Sequence, residues 1–262
     1  MSTGTTTPAR VLVFGGTGPA GICLLRELLS RNHATVAYVR SPSKIPADLL
    51  STYPSLLEMV EGQLDNKQLI SSTLSKSRID VVVSLLGPMV GIGARSALDA
   101  EALPGYYRDS IIPAMRESGV KRIFALSTIS YTDPTGGDRF SALRQFMIGA
   151  VRVLAPAAYR VVTAVGRVFA EDKEAGGEKR VSEGLDWTVY RVPMIPGGSD
   201  EESWKKDREE GGVYVGPIGA PGWTVSIRRA RLARWLVDCV EDVDGMGRRL
   251  VSKVVAVGGT KA

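Results

Sequence analysis

The sequence is poor in the residues that most often build metal sites, disulfides and catalytic triads: it has one histidine and two cysteines among 262 residues. His33 follows the first predicted helix, far from the expected cleft, so we exclude a histidine-based triad and predict a structural role. Cys23 and Cys239 have neither metal-ligand spacing nor a disulfide framework. We expect two small core residues in a reducing compartment, and no metal.

The sequence also lacks a long apolar run. No stretch approaches the length of a membrane span, and the first ten residues (MSTGTTTPAR) are polar and lack the apolar core of a signal peptide. We therefore predict a cytoplasmic protein with no membrane partner. The net charge is +5, but basic residues are spread along the chain and often lie beside acids, as in residues 205–210. This pattern predicts a solvated surface and no nucleic-acid partner.

The most informative stretch that is present is residues 11–21 (VLVFGGTGPAG). An apolar run breaks into glycines at Gly15, Gly18 and Gly21, and an amphipathic helix follows. In such a turn the missing Cβ atoms let backbone N–H groups approach a pyrophosphate, and the helix dipole favours the anion. The order of strand, glycines, helix and second strand predicts a dinucleotide site rather than an ordinary glycine-rich loop.

The end of the second predicted strand, residues 35–39, indicates which dinucleotide is bound. Arg40, Ser41 and Lys44 follow this strand, and no acidic residue lies between positions 35 and 47. An acid here would bind the free 2′-hydroxyl of NAD, whereas cations with a hydroxyl suit the 2′-phosphate of NADP. The alternative is a solvated basic loop. We predict NADP(H).

Strands and helices alternate along the rest of the chain. Further strands are predicted at 56–60, 79–86, 122–126, 187–192 and 250–257, and helices at 66–74, 106–118 and 229–240, with a long helix through Phe169 and Lys173. This pattern predicts an α/β fold with a doubly wound parallel sheet. The length and the 44% hydrophobic content favour one domain over residues 1–262, with substrate loops at about 130–160 and 194–226. Trp204, Tyr214 and Trp223 are candidates for an aromatic lid or for ordinary loop packing.

Four pieces of the sequence resemble one family: the GGTGPAG turn, Tyr38-Val39-Arg40, Leu126-Ser127-Thr128, and residues 184–193 (GLDWTVYRVP). The chain resembles an atypical short-chain dehydrogenase/reductase of the NmrA-like and isoflavone-reductase-like branch. The resemblance implies a Rossmann fold with a small substrate-binding cap built from C-terminal loops. Val192, between Arg191 and Pro193, departs from the family's pattern in the last piece.

The glycine turn, the basic strand end and the resemblance together give a predicted NADP(H) site. Its residues are Gly15, Thr17, Gly18, Pro19, Ala20, Arg40, Lys44, Leu86, Gly87, Ser127, Thr128, Lys173, Val192 and Pro193.

Catalytic residues are predicted through the resemblance. The wider superfamily places a tyrosine and a lysine four residues apart on one helix, and here those positions read Phe169 and Lys173. The resemblance implies that Lys173 binds the nicotinamide ribose and stabilises a developing oxyanion. A solvated helix lysine among acids is the equally weighted alternative. Because the tyrosine is missing, Ser127 and Tyr131 are the candidates to assist proton transfer, and Tyr131 is alternatively a packing residue.

These observations predict an NADPH-dependent reductase of a small carbonyl, enone or polycyclic aromatic substrate, with secondary metabolism implied by the resemblance. Two alternatives stay open: a redox-neutral isomerase or cyclase on the same scaffold, and a non-catalytic NADP(H) sensor. We expect a small-molecule substrate and a monomer or homodimer.

Overall fold

A single eight-stranded sheet organises the protein, in the order β3-β2-β1-β4-β5-β6-β8-β7. The structure, a computed structural model, describes residues 8–87 and 102–260. All strand pairs are parallel except β7 with β8. The strands are β1 Val11–Phe14, β2 Thr35–Val39, β3 Leu57–Glu61, β4 Val81–Ser84, β5 Arg122–Thr128, β6 Asp186–Val192, β7 Val213–Gly216 and β8 Lys253–Gly259.

Helices cover both faces of the sheet. They are α1 Pro19–Ser30, α2 Ala47–Thr52, α3 Lys67–Lys76, α4 Leu103–Tyr106, α5 Ile112–Ser118, α6 Ala142–Leu154, α7 Pro156–Ala170, α8 Glu201–Asp207, α9 Arg229–Val240 and α10 Met246–Arg249. A π-helical turn, Tyr107–Ile111, joins α4 to α5. None of the helices in the two described stretches has the length and apolar character needed to traverse a bilayer.

Alternate side chains of β1 enter different cores. Val11 and Val13 pack with α1 and α9 on one face, whereas Leu12 and Phe14 pack with α5 and α7 on the other. Strands buried on both faces are characteristic of a parallel sheet covered by helices. The predicted doubly wound α/β fold is therefore confirmed. Strands β2 and β3 are added on one side of β1, and β4 and the later strands on the other. In such sheets the ligand binds in the crevice between the two strands at which the order reverses, here β1 and β4.

The regions predicted as substrate loops contain regular structure that the sequence analysis missed. Helix α6 lies within 130–160, and α8 and β7 lie within 194–226. The aromatic lid is wrong for Trp204, because its side chain is buried on α8 and its Nε1 donates to Glu27 at 3.0 Å. The long helix through Lys173 is also wrong, since α7 ends at Ala170.

A buried carboxylate joins α1 to α8. The side chain of Glu27 is 0% exposed and accepts hydrogen bonds from Trp204, from Arg208 at 2.8 and 2.9 Å, and from Arg31 at 2.9 Å. Burial by itself would raise the pKa of Glu27, but the hydrogen bonds and charges of Arg208 and Arg31 outweigh it and hold that pKa below its ordinary value. Glu27 is therefore ionised in the folded protein at neutral pH.

We expect Glu27→Gln to lower the free energy of unfolding by about 2–3 kcal/mol, because Arg31 and Arg208 each lose their buried partner and keep only more exposed carboxylates. The cost is below that of a fully buried pair, since the Arg208 side chain is 25% exposed. Because folding depresses this pKa, the contribution of Glu27 is complete above about pH 5 and is lost as the pH falls through the folded-state pKa. Urea unfolding of both proteins at several pH values measures both effects.

The matched control is Glu117→Gln, which removes the partner of Lys67 at the surface, where the two side chains are 48% and 40% exposed. Exposed pairs contribute little, so this variant should unfold like the parent protein. An equal loss in the two variants would contradict the structural role of Glu27.

Candidate cofactor and substrate site

Two glycines in the turn between β1 and α1 are required by the protein itself. Gly15 has φ +80°, and a Cβ there would lie 2.9 Å from the backbone of Leu85. A Cβ on Gly21 would lie 2.1 Å from the carbonyl oxygen of Gly15. The turn and the first turn of α1 therefore pack backbone against backbone, and no side chain fits between them.

Gly18 differs from the other two glycines. A Cβ on Gly18 would meet only the Gly15 carbonyl oxygen, at 3.6 Å, so nothing in the described protein prevents a side chain there. Gly18 is the N-cap of α1, no side chain caps this helix end, and its first turn has no acidic residue. An uncapped helix N-terminus beside open space fits an anion such as a pyrophosphate.

A polar cavity of about 450 Å³ lies at the carboxyl ends of β1, β2 and β3 and is lined by residues 15, 17, 18, 38–41, 44, 62–64 and 85–87. It brings the glycine turn together with Arg40, Ser41 and Lys44, as the sequence predicted for a dinucleotide. Among the described residues of this lining, none is acidic. In the sheet, β1 lies between β2 and β4. Arg40 and Lys44 follow β2, whereas Leu86 and Gly87 follow β4, so the cations and this pair lie on opposite sides of β1. Pro19 and Ala20 begin α1 and do not line the cavity.

The wall after β3 was not predicted from the sequence. A Cβ on Gly62 would lie 2.2 Å from the Tyr38 hydroxyl, and that hydroxyl donates to the carbonyl oxygen of Gln63 at 2.8 Å. Burial, with a smaller effect of Asp65, raises the pKa of Tyr38 to about 12, so the phenol stays neutral. The glycine after the third strand was the one signal that could have indicated this close packing.

An apolar cavity of about 330 Å³ adjoins the polar one, because Leu86 and Gly87 line both. Residues 86, 87, 103, 126–130, 147, 148, 151, 165 and 192–195 line it. The predicted residues Ser127, Thr128, Val192 and Pro193 are thus brought to this second cavity. Met147, Ile148 and Val151 of α6 and Val165 of α7 were not predicted, because the sequence analysis expected a loop where α6 lies.

The polar groups of the apolar cavity are hydroxyls. Ser127 is 1% exposed at the end of β5, and Thr128 accepts a hydrogen bond from the backbone N–H of Ser130 at 3.2 Å. Within the described lining there is no histidine, cysteine, carboxylate, amine, guanidinium or phenol. The described walls therefore offer hydroxyl hydrogen bonds and no strong acid or base.

Tyr131, predicted as a proton donor, lies outside the described lining of both cavities. Its ring packs against α7, where a Cβ on Gly166 would lie 2.3 Å from it, and its hydroxyl donates to Glu171 at 2.7 Å. Burial, with the hydrogen bond to Glu171, raises the pKa of Tyr131 far above its ordinary value. These contacts favour the alternative of a packing residue for Tyr131.

Lys173 is also misplaced in the sequence-based prediction. It is exposed beyond the end of α7 and forms an isolated β-bridge with Arg180. Its neighbour Glu174 pairs with Arg116 of α5 at 2.7 Å, next to the turn that leads into the start of β5. This segment therefore lies toward the amino ends of the strands, whereas both cavities open at the carboxyl ends. Phe169 is fully buried against Tyr107 and Trp187.

A buried ion cluster holds the wall of the apolar cavity, and it too was not predicted. Arg191 on β6 is fully buried and binds both carboxylate oxygens of Asp138, at 2.5 and 2.8 Å. Arg144 of α6 donates to the carbonyl oxygens of Ile129 and Tyr131 at 2.8 and 3.4 Å. Burial opposes the ionisation of Asp138, but Arg191 keeps the pKa of that carboxyl below its ordinary value. The cluster fixes α6 to the end of β5.

Comparison with solved structures shows the same fold in short-chain dehydrogenase/reductase proteins. A short-chain dehydrogenase/reductase from Veillonella parvula in complex with NADP aligns over 96% of this chain and 95% of its own, at 15% identity and a TM-score of 0.67. The oxidoreductase ylbE from Lactococcus lactis aligns over 97% and 92%, at 17% identity and a TM-score of 0.63. A candidate NADH-flavin reductase from Streptococcus pneumoniae aligns over 96% and 100%, at 16% identity and a TM-score of 0.59.

No curated protein sequence matches the chain. The family model described as NAD(P)H-binding matches residues 15–243, which begin in the glycine turn and include every strand but β1 and β8. The resemblance predicted from the sequence is confirmed by this match and by the structural neighbours. The chain belongs to the NAD(P)H-binding family, and it shares its fold with short-chain dehydrogenase/reductase structures.

Proposed function

We propose that the protein is an NADPH-dependent oxidoreductase that reduces a small, largely apolar carbonyl, enone or polycyclic aromatic compound. The observation that carries the proposal is the junction of the two cavities at Leu86 and Gly87. A dinucleotide with its adenosine end at Arg40 and Lys44 and its pyrophosphate at Gly18 would bring its nicotinamide to this junction. When bound, NADPH supplies the hydride.

The chain's own residues would position the reactants. The backbone at Gly15 and Gly18 and the N-terminus of α1 hold the pyrophosphate, and the aliphatic walls of the apolar cavity exclude water from the substrate. Ser127 and Thr128 lie where hydroxyls can donate to the oxygen of a substrate carbonyl as negative charge develops on it. The proton that balances the hydride would pass from the Ser127 hydroxyl to that oxygen, and Ser127 would regain a proton from water. This assignment takes Ser127 as the catalytic hydroxyl and removes Lys173 and Tyr131 from the reaction.

The chemistry of the described walls favours reduction over the redox-neutral alternative. An isomerase or cyclase depends on positioned acids and bases, and the described lining of the apolar cavity contains none. The same observation keeps the sensor as the second candidate, since binding without turnover needs no acid or base. The resemblance to the isoflavone-reductase-like branch supports secondary metabolites as the substrate class.

The function is tested by incubating the purified chain with NADPH and a panel of quinones, enones, cyclic ketones and flavin, with product analysis. We expect NADPH oxidation coupled to a reduced product. Product formation without NADPH oxidation would establish the redox-neutral enzyme instead, and tight NADPH binding with no product from any compound would establish the sensor. Ser127→Ala should lower turnover about a hundredfold, the usual loss for one preorganised donor, with NADPH affinity unchanged.

We expect Gly18→Val to abolish NADPH binding while the protein stays folded, because a Cβ at Gly18 would meet only the Gly15 carbonyl oxygen, at 3.6 Å, among the described atoms, whereas the pyrophosphate needs the space that the side chain would fill. Calorimetry measures the binding, and circular dichroism measures the fold. The matched variant is Gly21→Ala, whose Cβ would collide with the Gly15 carbonyl oxygen at 2.1 Å, so it should reduce stability. Undiminished binding by a folded Gly18→Val protein would rule out this placement of the pyrophosphate.

We expect the parent protein to bind NADPH more tightly than NADH, and Arg40→Ala to reduce that preference by one to two powers of ten. A charge-assisted contact with the 2′-phosphate contributes about 1.5–3 kcal/mol, which corresponds to this factor. Lys173→Ala is the matched control, since it removes an exposed cation outside the lining of both cavities. Equal affinities of the parent protein for NADPH and NADH would overturn the cofactor assignment.

A further inference from the structure

The outer face of α6 is apolar and exposed. Leu143, Phe146, Val153 and Leu154 are 52%, 76%, 78% and 83% exposed, and Phe140, just before the helix, is 81% exposed. Spacings of 3, 7 and 11 residues place these helical side chains along one side of α6. Single exposed apolar side chains are ordinary on protein surfaces, but a continuous stripe marks a binding surface. We call these five residues the α6 outer face.

The excess positive charge of the protein lies in the same segment. Residues 139–170 contain five arginines and no aspartate, glutamate or lysine. The other 28 basic residues of the chain are balanced by its 28 acidic residues. The sequence-based prediction of evenly spread basic residues is therefore wrong for this segment. Arg144 is buried in the ion cluster, whereas Arg139, Arg152, Arg160 and Arg167 are exposed.

The arginines of residues 139–170 distinguish among three partners that could cover the α6 outer face: a second copy of the chain, a nucleic acid and a bilayer. In a two-fold dimer the same patch meets itself, so two copies would bring arginines together with no acid from this segment to pair with them. A nucleic acid would pair with the arginines but would leave the phenylalanines and leucines in water. An anionic bilayer surface satisfies both groups, because the apolar side chains enter the acyl boundary while the guanidinium groups reach the lipid phosphates and carboxylates.

We propose that the α6 outer face binds the surface of an anionic phospholipid bilayer, with α6 lying in the plane of the interface. The sequence-based prediction of no membrane partner concerned spanning segments, and a 13-residue helix at the surface does not conflict with the absence of a spanning helix among the described residues. The adjoining side of α6 carries Met147, Ile148 and Val151, which line the apolar cavity, and Met147 lies one helical turn after Leu143 of the outer face. Binding in this orientation holds that cavity against the membrane. The inference does not depend on the proposed reaction.

The test is sedimentation of the full chain with vesicles of phosphatidylcholine alone and of an equal mixture of phosphatidylcholine and phosphatidylserine. We expect binding to the anionic vesicles, weak binding to the neutral ones, and a decrease in binding as salt is raised, because salt screens the arginines. No sedimentation with anionic vesicles at low salt, or equal binding to both kinds of vesicle, overturns the proposal.

Two substitutions test the apolar and the electrostatic contributions to vesicle binding separately. Phe146→Asp should lower the vesicle partition coefficient at least tenfold, and its control is Val243→Asp, at a residue 39% exposed outside α6. Arg152→Glu should lower it about fivefold or more, and its control is Lys121→Glu, an exposed cation outside the segment. Circular dichroism checks that each variant is folded. The proposal fails if either variant binds like its control.

The second copy is the competing occupant, and light scattering identifies it. A monomer that binds anionic vesicles supports the proposal. A dimer that Phe146→Asp converts to a folded monomer, with no vesicle binding by the parent protein, overturns it in favour of self-association through the α6 outer face.

Discussion

In the turn between β1 and α1, the backbone of Gly21 lies so close to the carbonyl oxygen of Gly15 that a Cβ would approach it to 2.1 Å. This contact places the N-terminus of α1 directly beyond the end of β1, where the order of strands in the sheet reverses. The open space beside Gly18, the cations after β2 and the junction at Leu86 and Gly87 are all positioned relative to this helix end. Both cavities therefore depend on a contact between two backbones.

A second constraint is electrostatic. Arg191 and Asp138 bury opposite charges beside the apolar cavity, and the Nε of Arg191 has no hydrogen-bond partner within residues 8–87 and 102–260. Burying charges is costly, and a well-packed apolar pair would often be at least as stable. The ion pair instead orients the Asp138 carboxylate, which also accepts hydrogen bonds from the backbone N–H groups of Asp133 and Ile218, each at 3.0 Å. Two loops far apart in sequence are thereby held to the ends of β5 and β6.

The sequence predicted the parts of the protein in which a local pattern determines the geometry. The glycine turn, the basic end of β2 and the apolar strands each have their signal within about ten residues, and the structure brings Gly15, Gly18, Arg40 and Lys44 to one cavity. Gly119 has φ +75° directly after α5, the left-handed conformation in which a glycine commonly ends a helix. Such features need no knowledge of distant neighbours.

The failures came from contacts between distant residues. Lys173 has the right spacing from Phe169, but the helix ends before it, and no periodicity in the sequence indicates that end. Tyr131 follows β5 as predicted, yet Glu171, 40 residues away, determines where its hydroxyl points. The pairing of Arg191 with Asp138 and the packing of Tyr38 over Gly62 have the same origin, since each depends on the completed sheet.

Helix α6 covers the apolar cavity but contributes no side chain to the two large cores of the protein. Arg144 is the one buried residue of this helix, and the Arg144 side chain is held by hydrogen bonds to carbonyl oxygens at the end of β5. Detaching α6 would uncover Met147, Ile148 and the apolar cavity wall, but no residue of the two large cores belongs to this helix, so the hydrophobic effect holds α6 less strongly than it holds the helices on the sheet. The heat capacity of opening is correspondingly small, because that quantity follows the apolar area exposed. These contacts predict that a local opening of α6 costs less free energy than unfolding the sheet.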